Sequence, residues 1–135
     1  MAILYHKQNE DVMGSEDLKN RTKAFALRIV ALVAALPKTM VGDVVGKQIL
    51  RSGTSVGANY RSASRARSKK EFLSKITVVE EEADETLFWL EILSESRILP
   101  PAKLREITRE ADEITAIFTT IGKETKRNLN NNAKG

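Results

Sequence analysis

The sequence predicts an all-α fold, an antiparallel up-and-down four-helix bundle, and three observations predict it. Apolar residues recur at steps of three and four along four long stretches. The three prolines fall at only two places, Pro37 and Pro100–Pro101, which leaves room for long helices between them. No stretch shows the strict alternation of a half-buried strand. Four amphipathic helices joined by short turns bury their stripes at least cost when neighbours pack antiparallel around a shared core.

Residues 1–14 read as a flexible leader, 15–127 as the bundle domain and 128–135 as a disordered tail rich in asparagine. Ser15 offers an N-cap, and Glu16 and Asp17 place negative charge at the positive helix end. Leu18, Phe25, Ile29, Leu32 and Leu36 then mark one face of a first helix, which Ala26 and Val33 widen and Pro37 stops. Lys38 to Gly42 reads as a turn. The second helix is expected to start near Val41 to Asp43 and to run to about Arg67, with Val45, Ile49, Val56 and Ala63 as its apolar line. Gly53 and Gly57 lie four apart on another side. Each costs a helix about 1 kcal/mol relative to alanine, so they imply either a close backbone approach or a break, and a continuous helix is the favoured reading. Ser68-Lys-Lys-Glu71 is a capping box that starts a third helix. Phe72, Ile76, Val79, Ala83, Thr86, Leu90 and Leu93 carry that helix to about Ser96. Pro101 suits the first turn of a fourth, whose stripe is Leu104, Ile107, Ala111, Ile114, Phe118 and Ile121 and whose end is expected near Arg127.

A chain of 135 residues fits one domain that needs neither disulfide nor metal to hold together. It has no cysteine, which excludes a disulfide framework, a thiolate zinc site and a thiol nucleophile. The longest apolar run, Ile29 to Leu36, is far shorter than a membrane span, and residues 1–14 lack the apolar core of a signal peptide. A soluble, cytoplasmic protein with no membrane contact is therefore expected. The net charge of +4 permits a polyanionic partner without requiring one.

The stretch from Gln48 to Leu93 is the most distinctive. Gln-Ile-Leu-Arg-Ser-Gly-Thr-Ser-Val-Gly-Ala-Asn-Tyr60 is followed by Arg65-Ala-Arg-Ser68, Glu71-Phe-Leu-Ser-Lys75, Glu82-Ala-Asp-Glu-Thr86 and Trp89-Leu90. In order and spacing these segments resemble the 23S rRNA-intervening sequence protein family, also called the four helix bundle protein family, over roughly Leu18 to Arg127. The resemblance implies a left-handed up-and-down bundle that assembles as a cyclic homo-oligomer, a homopentamer, with no known catalytic activity. Members are encoded within insertions in bacterial large-subunit rRNA genes and elsewhere. A related bundle, the accessory protein of diversity-generating retroelements, is a basic pentamer that binds nucleic acid and a reverse transcriptase, and that likeness is of fold alone. This chain departs from the family in one respect. Many members carry a glutamate two residues after the asparagine, whereas here Arg61 and Ser62 follow Tyr60.

Three groups of residues are candidates for function. The first is the basic cluster Arg61, Arg65, Arg67, Lys69, Lys70 and Lys75, which contains one acid, Glu71, and spans the junction of the second and third helices. Phosphate contacts would explain it without sequence reading, and a ring would repeat it. The bland alternative is a solvated surface paired with the acids of the third helix. The second is the line Gln48, Ser52, Ser55 and Asn59, with Trp89. It reads as helix packing or a subunit interface, with side chains bonding neighbouring helices. The third is the acidic run Glu80, Glu81, Glu82, Asp84 and Glu85. A carboxylate metal centre in a bundle uses Glu-x-x-His pairs, and the one histidine, His6, lies in the leader. No metal, no cofactor and no catalytic residue are expected, because a catalytic serine needs a positioned base. The expected partners are further copies of the chain, with RNA or DNA bound through repeated basic surfaces. A protein-interaction scaffold without a nucleic-acid role is the alternative.

Overall fold

The computed structural model describes residues 14–134, with side chains through 132. The leader expected over residues 1–14, including His6, therefore lies outside the described residues except for Gly14. Among the described residues there are four helices and no strand: α1 (Ser15–Ala34), α2 (Met40–Ala63), α3 (Lys69–Glu95) and α4 (Pro101–Lys134). Each packs mainly on the next in the chain, and α1 meets α4 more sparsely. The result is a four-helix bundle. No helix among the described residues is long and apolar enough to cross a membrane.

The helix ends obey local chemistry, and they correct the expected boundaries. The cap of α1 is Gly14 rather than Ser15, and the Asp17 carboxylate accepts from the Gly14 N–H at 3.3 Å. The helix ends at Ala34, not at Pro37. Leu36 cannot be helical before a proline, so the last turn tightens, with Ala35 N–H bonded to Leu32 O and Leu36 N–H to Val33 O. Thr39 caps α2 by accepting from the Gly42 N–H at 3.0 Å, so Gly42 lies inside the first turn of the helix and not in the connecting turn. α2 runs unbroken through Gly53 and Gly57. It stops at Ala63 instead of Arg67, because Ser68 must adopt an extended backbone to cap α3. The Ser68 hydroxyl accepts from Glu71 N–H at 3.0 Å, while the Glu71 carboxylate reaches one residue further back than a capping box requires, to Arg67 N–H at 3.0 Å. α3 closes on Arg97, whose φ of 59° is left-handed, with Ile98 N–H bonded to Leu93 O. The largest correction is at the C-terminal end. The tail expected to be disordered from Asn128 is helical through Lys134. Asparagine is a poor helix former, but Thr125 is buried and Leu129 half-buried at steps of four beyond Ile121, so packing extends the helix past the propensity limit.

The stripes predicted from spacing form the core. Leu18, Phe25, Ile29, Ile49, Val56, Ile76, Val79, Leu90, Leu93, Leu104, Ile114, Phe118 and Ile121 are buried. The glycines of α2 draw α1 in. A Cβ at Gly53 would stand 2.8 Å from Ile29 Cγ1, and one at Gly57 3.3 Å from the Thr22 carbonyl oxygen. Across the bundle, Arg21 of α1 grips Glu110 of α4 with two bonds of 2.7 and 2.8 Å. This forked contact, before any other, raises the arginine pKa.

Tyr60 is fully buried, and its ring tilts against Phe118 with centroids 5.3 Å apart. Its hydroxyl has no hydrogen-bond partner among the described residues. Burial pushes the phenol above its ordinary value, and the nearby Ser15 hydroxyl opposes that without reaching bonding geometry. A buried hydroxyl without a partner costs roughly 1–3 kcal/mol, so Tyr60→Phe is expected to raise stability by about 1 kcal/mol in urea unfolding. The sign with pH follows. The unfolded phenol ionises near pH 10 and the folded one higher, so titration of this phenol leaves stability unchanged below about pH 10 and lowers it as pH rises above that value. The decline should be weaker in Tyr60→Phe.

Candidate nucleic-acid interface

The turn between α2 and α3 is built to hold its shape. Ser64 N–H bonds Tyr60 O, Arg65 N–H bonds Ser62 O, and Ala66 N–H bonds Ala63 O at 2.9 to 3.1 Å. Ala66 is tucked into the core, and the Ser68 and Glu71 contacts close the far side. Arg61 sits on the last turn of α2. Arg65 and Arg67 project from the turn itself, outside the helix that was expected to carry all three. Arg61, Arg65 and Arg67 are exposed, and with Ala58, Ser62 and Glu71 they line one open depression.

That depression runs into a groove between α1 and α2, and the two share Ala58 and Arg61. The groove is lined by Lys19, Lys23, Ala26, Thr54 and Gly57 as well. Lys19 and Lys23 thus join the arginines, and sequence reasoning missed them. Their four-residue spacing on one side of α1 was visible. What was not visible is that Gly57 lets α1 come close enough to α2 to set that side beside Arg61. Small residues form the groove floor and cations its rim, with Glu71 as the acid at its far end.

Lys69, Lys70 and Lys75 do not line this surface. Lys69 and Lys70 occupy the first turn of α3, where the helix dipole already presents positive potential. None of Arg61, Arg65, Arg67, Lys69, Lys70 and Lys75 forms an ion pair with a described residue. The paired version of the bland reading is therefore not seen among the described residues, and three of the α3 acids, Glu80, Glu82 and Glu85, are engaged elsewhere. Arg51 binds Glu82 at 3.0 Å and also Glu85, and Glu85 accepts from Trp89 Nε1 at 3.2 Å. Glu80 accepts from Thr119 Oγ1 at 2.6 Å. Among the described residues, no group of three His, Cys, Asp or Glu side chains is placed to hold a metal.

The polar line on α2 divides in the same way. Ser52 is buried and receives a 2.8 Å bond from Thr86 Oγ1 across the α2–α3 contact. Asn59 instead bonds the Ser55 carbonyl of its own helix at 2.9 Å, and Gln48, Ser55 and Asn59 are half-buried. Trp89 is half-buried, packs against the core and meets Phe88 edge-on at 5.1 Å.

The model of the 23S rRNA-intervening sequence protein family matches residues 16–120. Among solved structures, the chain is similar to a Bacteroides thetaiotaomicron protein described as one of unknown function from the S23 ribosomal protein family. The two are 37% identical with a TM-score of 0.75, over 81% of this chain and 97% of that one. No curated protein matches.

Proposed function

Since the chain belongs to the 23S rRNA-intervening sequence protein family, we propose that it is a non-enzymatic, oligomeric bundle that binds nucleic acid, ribosomal RNA in the first instance, through its basic end. The observation that carries this reading is the groove in which Lys19, Lys23, Arg61, Arg65 and Arg67 line up without an acidic partner on the three arginines. Such an arrangement attracts a phosphate backbone and reads no bases, so binding is tolerant of sequence. The position where the family favours a glutamate is Arg61, at the centre of this groove.

The helices run up and down in this reading. Contacts pair rising positions on α1 with falling positions on α2, from Thr22–Gly57 through Ile29–Gly53 to Val33–Gly46. Glu80–Thr119 and Ile76–Gly122 do the same for α3 and α4. The five cations then gather at the end that carries the α2–α3 turn. In a homopentamer of the kind the family implies, that end repeats around a ring, and weak sites reinforce one another through effective concentration. The chain acts in the cytoplasm and needs no cofactor. Isolation of the tagged protein from its native cells at low salt tests the reading. RNA that leaves the protein when salt is raised is the expected companion. Recovery of a stoichiometric protein partner, with no RNA, would favour the scaffold alternative.

A further inference from the structure

The groove between α1 and α2 offers cations to a backbone and very little to a base. Proteins that capture single strands stack the bases on aromatic rings and read their edges with side-chain amides. Among the described residues no ring lines the groove or the depression beside it. Phe25, Tyr60, Phe72 and Phe118 are buried in the core. Phe88 and Trp89 meet edge-on on α3, which reaches these surfaces through Glu71. The groove floor is Ala26, Gly57 and Ala58, too short to touch a base edge. The polar groups of α2 near it are engaged with their own helix. Thr54 Oγ1 donates to Leu50 O at 2.6 Å, and Asn59 Nδ2 donates to Ser55 O at 2.9 Å.

Packed helices stand about 8–10 Å apart, axis to axis. A groove of that width admits one sugar-phosphate chain and not the body of a double helix. A chain with its phosphates between Lys19 and Lys23 of α1 and Arg61 of α2 would turn its bases outwards, away from the protein. Only a second strand can then pair and stack them. We propose that the groove takes one backbone of double-helical RNA in preference to a single strand. This rests on the nucleic-acid reading above and names the strandedness of its ligand. The stiffness of the site agrees. Bonds at Ser64, Arg65 and Ala66 hold the turn, and Gly57 packs on the Thr22 carbonyl, so the backbone under the cations is fixed. A double helix meets such a site already ordered, whereas a flexible strand loses conformational freedom on binding. Charge density acts in the same direction. A double helix carries one charge per about 1.7 Å of axis, against about 3.4 Å for one strand. Each phosphate contact accordingly steepens the salt dependence by about 0.9 on a double helix and about 0.7 on a strand. Five cations line the site. Five contacts separate the two slopes by about 1, which is about tenfold in affinity between 1 M and 0.1 M salt.

The test compares two labelled probes with the full chain, a fully paired RNA duplex and a uridine strand with the same number of phosphates. Affinities are measured from about 50 to 200 mM salt. The duplex should bind about tenfold tighter or more at 0.1 M salt, with a log–log slope steeper by about 1. The chain carrying Arg61→Glu and Arg65→Glu, both at exposed sites, should lose at least tenfold on the duplex. A strand that binds as tightly as the duplex, or two parallel slopes, would overturn the preference while the nucleic-acid reading stands. A duplex affinity untouched by the two reversals would place the duplex on another surface and overturn it as well. Binding of neither probe at the lowest salt would refute the nucleic-acid reading itself.

Discussion

Gly42→Ala is expected to destabilise the bundle by about 2–3 kcal/mol, although alanine is the better helix former by about 1 kcal/mol. A Cβ at position 42 would stand 2.2 Å from the Pro37 carbonyl oxygen and 3.2 Å from Thr39 Oγ1. The carbonyl cannot simply turn away. The Thr39 N–H holds that oxygen at 2.9 Å, so turning it away breaks that bond. Relief of the clash therefore loosens the turn and strips α2 of its Thr39 cap, worth about 1 kcal/mol, on top of the strain of overpacking, typically 1–3 kcal/mol. For a domain of this size, the midpoint of thermal unfolding should fall by roughly 5–12 °C. Gly122→Ala supplies the opposite sign. Its Cβ would meet Ile76 and Glu80 at ordinary distances of 3.8 and 3.9 Å, so helix propensity should stabilise the protein by up to about 1 kcal/mol. Equal effects at the two positions would contradict the account of the α1–α2 turn.

Reversal of Arg61 and Arg65 to glutamate should lower affinity for RNA at least tenfold at physiological salt while the fold is unchanged. Both side chains are exposed, neither forms an ion pair with a described residue, and both line the depression at the end of the bundle. Each lost phosphate contact removes a share of counterion release. Two reversals change the net charge from +4 to zero, so a control must separate site from sum. Arg105 and Arg109 on α4 are exposed and outside the groove. Their reversal gives the same net charge and should leave most of the affinity. Lys23→Glu should weaken binding, because Lys23 lines the same groove from α1. Equal losses from the groove pair and the α4 pair would mean that net charge alone governs binding.

Most of the fold was legible because burial follows spacing. Every residue of the predicted α3 and α4 stripes is buried, from Phe72 to Leu93 and from Leu104 to Ile121. Thr22 and Tyr60 were harder to read as core, since a hydroxyl usually argues for the surface. Their burial is decided by neighbours, the Leu18 carbonyl for Thr22 at 2.8 Å and the Phe118 ring for Tyr60. Helix ends were misplaced where packing or a turn overrode propensity, at Leu129 above all. The candidate site was half legible. Arg61, Arg65 and Arg67 are adjacent in the chain, so their gathering needed no tertiary knowledge. The contribution of Lys19 and Lys23 depends on how closely α1 approaches α2, which Gly57 sets through a contact some 35 residues away. Lys69, Lys70 and Lys75 are equally close in sequence to the arginines, yet the turn aims them off the groove.

The most direct test of the central claim is the salt dependence of RNA binding by the wild-type protein. Affinity for an unstructured RNA is measured by fluorescence anisotropy from about 50 to 200 mM salt. The five cations of one groove, Lys19, Lys23, Arg61, Arg65 and Arg67, predict that log affinity falls linearly with log salt, with a slope of about −2 or steeper at roughly −0.7 per phosphate contact. A slope near zero, or no binding even at the lowest salt, would contradict it.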